Sequence, residues 1–160
     1  KLIMAASIVQ LENKEKTGIK PTEPVIGDIR KEWDWVQQGV KQIIAGDRYL
    51  KFRPEDVYSL CVNDQAILWI SDGNFAITTT EIDEFTGDKV LLLWLAWTKH
   101  RGRKVGGIHT DFFMKVAKEN GYKKLQVRSK VKRLAPYLFS QGFRLETVVY
   151  TRQVADEWKT

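Results

Sequence analysis

The segment that most constrains this chain is Lys89 to Gly107, KVLLLWLAWTKHRGRKVGG, where a strongly apolar strand runs into a basic, glycine-containing turn and then into a helix. A strand that delivers the chain to a helix N-terminus makes an anion cradle, because unpaired N–H groups and the helix dipole both face the incoming charge. Arg101, Arg103 and Lys104 add positive charge to that turn, so a phosphate or pyrophosphate is the implied ligand. A plainer reading fits the segment equally well. In it Gly102, Gly106 and Gly107 shape a tight connection and the basic side chains are simply solvated.

The residues that follow extend the pattern. Ile108, Phe112, Val116 and Ala117 recur at helical spacing, Phe113 widens the stripe, and Glu119-Asn120-Gly121 supplies a helix end. A short strand follows at Lys124 to Ser129, then a helix over about Lys130 to Gln141 that stops at Gly142. Leu145 to Arg152, rich in valine and threonine, reads as a last strand. Upstream, Ile29, Trp33, Val36, Val40, Ile43 and Ile44 mark an amphipathic helix that ends near Gly46. Pro54 starts a second, shorter helix with Val57, Leu60 and Cys61 on its apolar side. Three strands follow, Gln65 to Ser71, Asn74 to Asp83 and Lys89 to Thr98. Asp72-Gly73 joins the first two as a hairpin turn.

This order of elements resembles the GNAT acyltransferase superfamily, whose members hold acyl-coenzyme A through a signature of the form Gln/Arg-x-x-Gly-x-Gly/Ala. Arg101-Gly102-Arg103-Lys104-Val105-Gly106 matches its first and last defined positions, with Lys104 at the middle glycine. The closing Tyr137-Leu138-Phe139-Ser140-Gln141-Gly142-Phe143 is similar to the family's Tyr-x-x-x-Gly-Phe ending. The likeness spans residues 54 to 152 and is nearest to small GNAT-like proteins of bacteriophages; it is weak before residue 28. It implies an α/β fold, a mixed and mostly antiparallel sheet flanked by helices. Residues 28–154 would form that domain, 1–27 an N-terminal segment with an edge strand at Ser7 to Leu11, and 155–160 a tail.

The same resemblance implies acetyl-CoA as cofactor. Backbone groups of Leu95, Ala96 and Trp97 would pair with the pantetheine arm where the strand at 89–98 separates from the strand at 124–129. The amides of Arg101, Gly102, Arg103, Lys104, Val105, Gly106 and Gly107 would hold the pyrophosphate, and Lys130, Lys132 and Arg133 lie toward the side of the adenosine phosphates. An amine would attack the thioester directly, with its proton leaving through a side chain or water. The strand at 89–98 carries no carboxylate, so Glu81 is the first candidate base, ahead of Asp83 and Glu84 near the turn. Counting back from Gly142, the usual late tyrosine falls on Leu138, and Tyr137, the candidate acid, is one residue out of register. These departures keep a second class open: a catalytically weak or inactive GNAT-like phage protein that serves in the virion or contacts a host protein.

Charge and composition narrow the field further. The chain carries a formal +6, and residues 99–133 hold twelve Lys or Arg against Asp111 and Glu119. That bias suits coenzyme A and also suits nucleic acid. No RNA-recognition pattern accompanies the six tryptophans, which are mostly placed as core residues, although Trp35, displaced from the helical stripe, is suited to a core edge or a substrate groove. Cys61, the single cysteine, reads as a small buried hydrophobe. His100 and His109 stand apart from any ligand constellation, so no metal site is assigned. The apolar Leu2 to Ala6 is too short to cross a membrane, and a bacterial host cytoplasm or a phage virion is the expected setting.

Overall fold

A computed structural model describes residues 3–4, 22–99 and 109–155 of the chain. Its elements run β1 (Ile3–Met4), β2 (Val25–Ile26), α1 (Ile29–Ala45), α2 (Pro54–Val62), β3 (Ala66–Ser71), β4 (Asn74–Ile82), β5 (Lys89–Thr98), α3 (Thr110–Glu119), β6 (Lys124–Val127), a 3₁₀ turn (Lys132–Leu134) and α4 (Ala135–Ser140). The expected edge strand at Ser7 to Leu11 lies outside the described residues.

The sheet order is β1-β5-β4-β3-β2, with β6 also on β5. β2–β3, β3–β4 and β4–β5 are antiparallel, whereas β6 and β1 each pair with β5 in parallel. The hairpin between β3 and β4 turns on Asp72 and Gly73, both at positive φ (50° and 75°), the backbone that a two-residue turn matching strand twist demands.

α1 and α2 cover one face of the sheet and α3 the other. Asp28 caps α1 by accepting the Arg30 amide at 2.9 Å, and Ile29, Val36, Val40 and Ile43 form its buried stripe. Gly39 lies on the same stripe because nothing larger fits: a Cβ there would sit 2.5 Å from the Phe75 ring and 2.7 Å from Trp97. α2 opens on Pro54, where a missing N–H costs nothing, and buries Val57. On the opposite face, the Phe113 ring meets Trp69 edge-on at 5.5 Å, and the Trp69 indole donates to the Thr78 hydroxyl at 2.9 Å.

Three local expectations are corrected. α3 starts at Thr110, after His109 at φ 55°, and its fully covered aromatic is Phe113, with Phe112 only half-buried. The stripe is thus centred one residue later than Ile108-Phe112-Val116 suggested. The helix expected from Lys130 breaks into a 3₁₀ turn followed by α4. Pro136 explains the break, since it has no N–H to bond the Lys132 carbonyl; the Ala135 amide takes that carbonyl in a tighter turn. Leu145 to Arg152 forms no strand. Glu146 engages Lys124 at 2.9 Å through side chains, and Leu145, Val149 and Tyr150 are exposed. Valine-rich composition favours a strand through the face it buries, and here no face is offered.

Candidate active site

The site is built on a disruption in β5. Ile77 pairs with Leu95 but Thr78 pairs with Leu93, so Trp94 is an extra residue bulged out of the ladder. β6 follows β5 from Val90 to Leu93 and leaves it at that point. The two parallel strands therefore open beside the bulge, ahead of the chain that leads to α3. The loop between α1 and α2 closes onto the bulge through Phe52, whose ring centroid lies 5.2 Å from that of Trp94.

Beyond the bulge, the Leu95 and Ala96 positions expected to receive pantetheine are paired with Ile3 and Met4 of β1. Trp97 commits its side chain to α1. It stacks on Phe75 at 5.6 Å, lies 6.3 Å from Trp35, and donates its indole N–H to Gln42 at 3.1 Å. Trp35 thus covers the core edge. The anion turn itself, Arg101 to Gly107, together with His100, lies outside the described residues.

The helix after that turn is described, and its first residue is chemically unsettled. Thr110 is buried, and its hydroxyl has no hydrogen-bond partner among the described residues. A buried hydroxyl left unpaired costs about 1–3 kcal/mol, so a helix N-terminus carrying one is suited to an acceptor such as a phosphate oxygen. His109 precedes it. Burial pushes its imidazole below the ordinary 6.5, against the pull of Asp72 and Glu23.

Glu81 is placed on β4 opposite Val90, and Val90 opposite Lys124, so alternation puts Lys124, Gln126 and Arg128 on its face. Arg128 clasps Glu81 with both guanidinium nitrogens, one of them at 2.8 Å, and also donates to Gln126 at 3.2 Å. The hydrogen bonding that Arg128 donates to Glu81 holds the guanidinium above its ordinary range. Asp83 accepts the Phe85 and Thr86 amides at 2.9 Å each and serves the turn, bonds that lower its pKa. Tyr137 is buried in the core cluster, and the neighbouring Leu138 is partly buried against it. Burial pushes the Cys61 thiol up to about 11, which makes it a poor nucleophile.

Sequence reasoning missed two partnerships. Arg128 was legible in principle, since it continues the alternation of β6. Lys130 sits 2.6 Å from Asp47, whose carboxylate is nearly covered. Nothing in the local sequence signals that pairing across 83 positions. Among the described residues no group of three or more His, Cys, Asp or Glu could hold a metal, and no helix is long and apolar enough to cross a membrane.

No protein-family model and no curated protein matches the sequence. Solved structures do. A probable acetyltransferase aligns at TM-score 0.66 over 84% of this chain and 99% of its own, with 14% identity. A ribosomal-protein-alanine N-acetyltransferase from Brucella melitensis biovar Abortus 2308 aligns at 0.60, covering 83% and 99%, with 16% identity. An aminoglycoside acetyltransferase from an uncultured soil metagenomic sample, in complex with sisomicin, aligns at 0.58, covering 84% and 96%, with 9% identity. At these identities the likeness is one of architecture: the fold is GNAT-like, a mixed and mostly antiparallel sheet flanked by helices.

Proposed function

We propose that this chain is an N-acetyltransferase that moves an acetyl group from acetyl-CoA to an amine of a small molecule or protein. The observation that carries the reading is the opening of β6 from β5 at the Trp94 bulge, followed by a helix whose first turn holds a buried hydroxyl with no partner among the described residues. Residues fitted to the cofactor are the β5 edge at Leu95 to Trp97, the turn Arg101 to Gly107, and Thr110. Bound there, acetyl-CoA supplies an activated thioester. The protein's part is to align the amine, exclude water and accept the amine proton. Glu81 is the carboxylate proposed to receive that proton, directly or through water, and Arg128 orients it by donating to both of its oxygens. Tyr137, the candidate acid, would act from a buried position.

One observation favours the second reading, a GNAT-like protein without strong catalysis that serves in a phage virion or binds a host protein: β1 occupies the Leu95–Ala96 edge. Acetyl-CoA must displace it. Titration calorimetry with acetyl-CoA at moderate salt separates the two readings. Saturable binding, weakened by charge reversal at Arg101 or Arg103 and more by Gly106→Val, is expected. No heat and no thermal shift at millimolar ligand would leave the structural role as the better account.

A further inference from the structure

We propose that Asp47 and Tyr49 form a binding site for an alkylammonium group, filled in this structure by the chain's own Lys130, whose external ligands are diamines or polyamines. As the seat of the acceptor's non-reacting end it rests on the acetyl-transfer reading; as a binding site it stands alone.

The site is fixed by backbone. After α1, the Asp47 amide bonds the Ile44 carbonyl at 3.1 Å and the Leu50 amide bonds the Asp47 carbonyl at 3.0 Å. The Tyr49 amide donates to the Asp47 carboxylate at 2.9 Å. That carboxylate is only 5% exposed, whereas the Lys130 side chain opposite it is 56% exposed. Burial opposes ionisation of Asp47, but the hydrogen bonds from Lys130 and from the Tyr49 amide outweigh it and hold the carboxyl below its ordinary 3.8. A covered anion therefore waits for a cation, and the cation it has reaches in from solvent.

Tyr49 supplies the second half of the site. The Lys130 ammonium lies 4.6 Å from the centre of the Tyr49 ring, and Tyr49 as a residue is 63% exposed. Arg48 holds the phenol oxygen at 2.7 Å and lies 4.9 Å from the ring centroid, which restrains the ring. A carboxylate combined with an aromatic face selects alkylammonium over anions and neutral groups. The same loop reaches the Trp94 bulge through Phe52, and Lys130 follows β6 shortly after that strand has left β5. The cation site thus shares its loop with the ring that meets the bulge, and its cation follows the strand that opens there.

Lys130 is a displaceable occupant. Its own side chain is 56% exposed, so the Lys130 ammonium loses little by returning to water, and the covered Asp47 carboxylate is left to take an incoming ammonium in its place. As a tethered ligand it competes at an effective concentration of roughly millimolar, which masks weaker free amines. Removing it should unmask the site.

The probe is diaminopentane, with pentanediol as the uncharged control, titrated by heteronuclear NMR and calorimetry against the full chain. Lys130→Met is expected to bind the diamine at least about tenfold more tightly than the wild type. Adding Asp47→Asn should abolish that binding, and Tyr49→Leu should weaken it several-fold. Should Lys130→Met fail to fold by circular dichroism, Lys130→Gln, a polar replacement at the same half-exposed position, takes its place in every comparison. Equal affinities in the Lys130 variant and wild type, or a Tyr49→Leu change that leaves the unmasked affinity of the Lys130 variant intact, overturn the site. Acetyl-CoA affinity is measured on the same samples: its loss everywhere removes the transferase reading and leaves the diamine result standing, while intact acetyl-CoA binding without diamine binding removes this site alone.

Discussion

Arg128 closes on both carboxylate oxygens of Glu81 from the far side of β5, tying the segment after β6 to β4 across the strand that carries the bulge. Both side chains remain more than a third exposed, so the pair is expected to contribute about 1 kcal/mol or less to stability. Its larger effect falls on protonation. Arg128→Met removes a cation from Glu81 and must raise its carboxyl pKa, moving the acid limb of the kcat–pH profile upward. Glu81→Gln should lower turnover with acetyl-CoA affinity unchanged. A profile that stays put in the first variant, together with normal turnover in the second, takes Glu81 out of the chemistry.

Gly39→Ala tests how tightly α1 lies on the sheet. Alanine favours the helix by up to about 1 kcal/mol, but its methyl would meet Phe75 at 2.5 Å and Trp97 at 2.7 Å, where overpacking costs about 1–3 kcal/mol. The clash should win. A lower Tm with altered Trp97 fluorescence is expected; a higher Tm would mean that the two rings yield freely.

Most of the scaffold was legible because its elements are written in local periodicity. The α1 stripe, the Asp72-Gly73 turn and the apolar run of β5 each announce themselves within about a dozen residues. The Trp94 bulge is not so written. It arises from the register between β4 and β5, a property of two segments at once. Arg128 on Glu81 and Lys130 on Asp47 are likewise long-range choices, and charge counting saw only a basic region. Leu145 to Arg152 shows the opposite failure: strand composition without a partner edge.

Thr110→Val separates ligand contact from packing. Replacing a buried hydroxyl that has no partner among the described residues by a methyl of the same shape removes a desolvated donor and should raise Tm, by an amount equivalent to about 1 kcal/mol. If the hydroxyl meets a phosphate oxygen, acetyl-CoA affinity should fall several-fold in the same variant. Stability and affinity moving in opposite directions is the signature, and an unchanged affinity would mean that the helix amides act without it.

Met4→Pro addresses the β5 edge in the full chain. Proline offers no N–H to a ladder and is poorly tolerated in a paired strand, so β1 should release Ala96. Because the pantetheine arm needs that edge, acetyl-CoA should bind more tightly, chiefly through a faster association rate. Unaltered binding would show that β1 and the cofactor do not compete.

Asp47 makes a last prediction, on acid stability. In the unfolded chain its carboxyl titrates near 3.8; in the folded chain the Lys130 and Tyr49 hydrogen bonds hold it lower despite burial. Between those values the unfolded state binds more protons, so stability rises with pH through the window. The contribution is fully present above the unfolded value and is lost as pH falls through the folded one. Asp47→Asn cannot titrate and should flatten that slope. Urea denaturation of both proteins at about pH 3 and about pH 5 measures the difference directly. Parallel losses in wild type and variant would place the acid sensitivity elsewhere, for example on the Lys124–Glu146 pair, whose carboxyl is also held low.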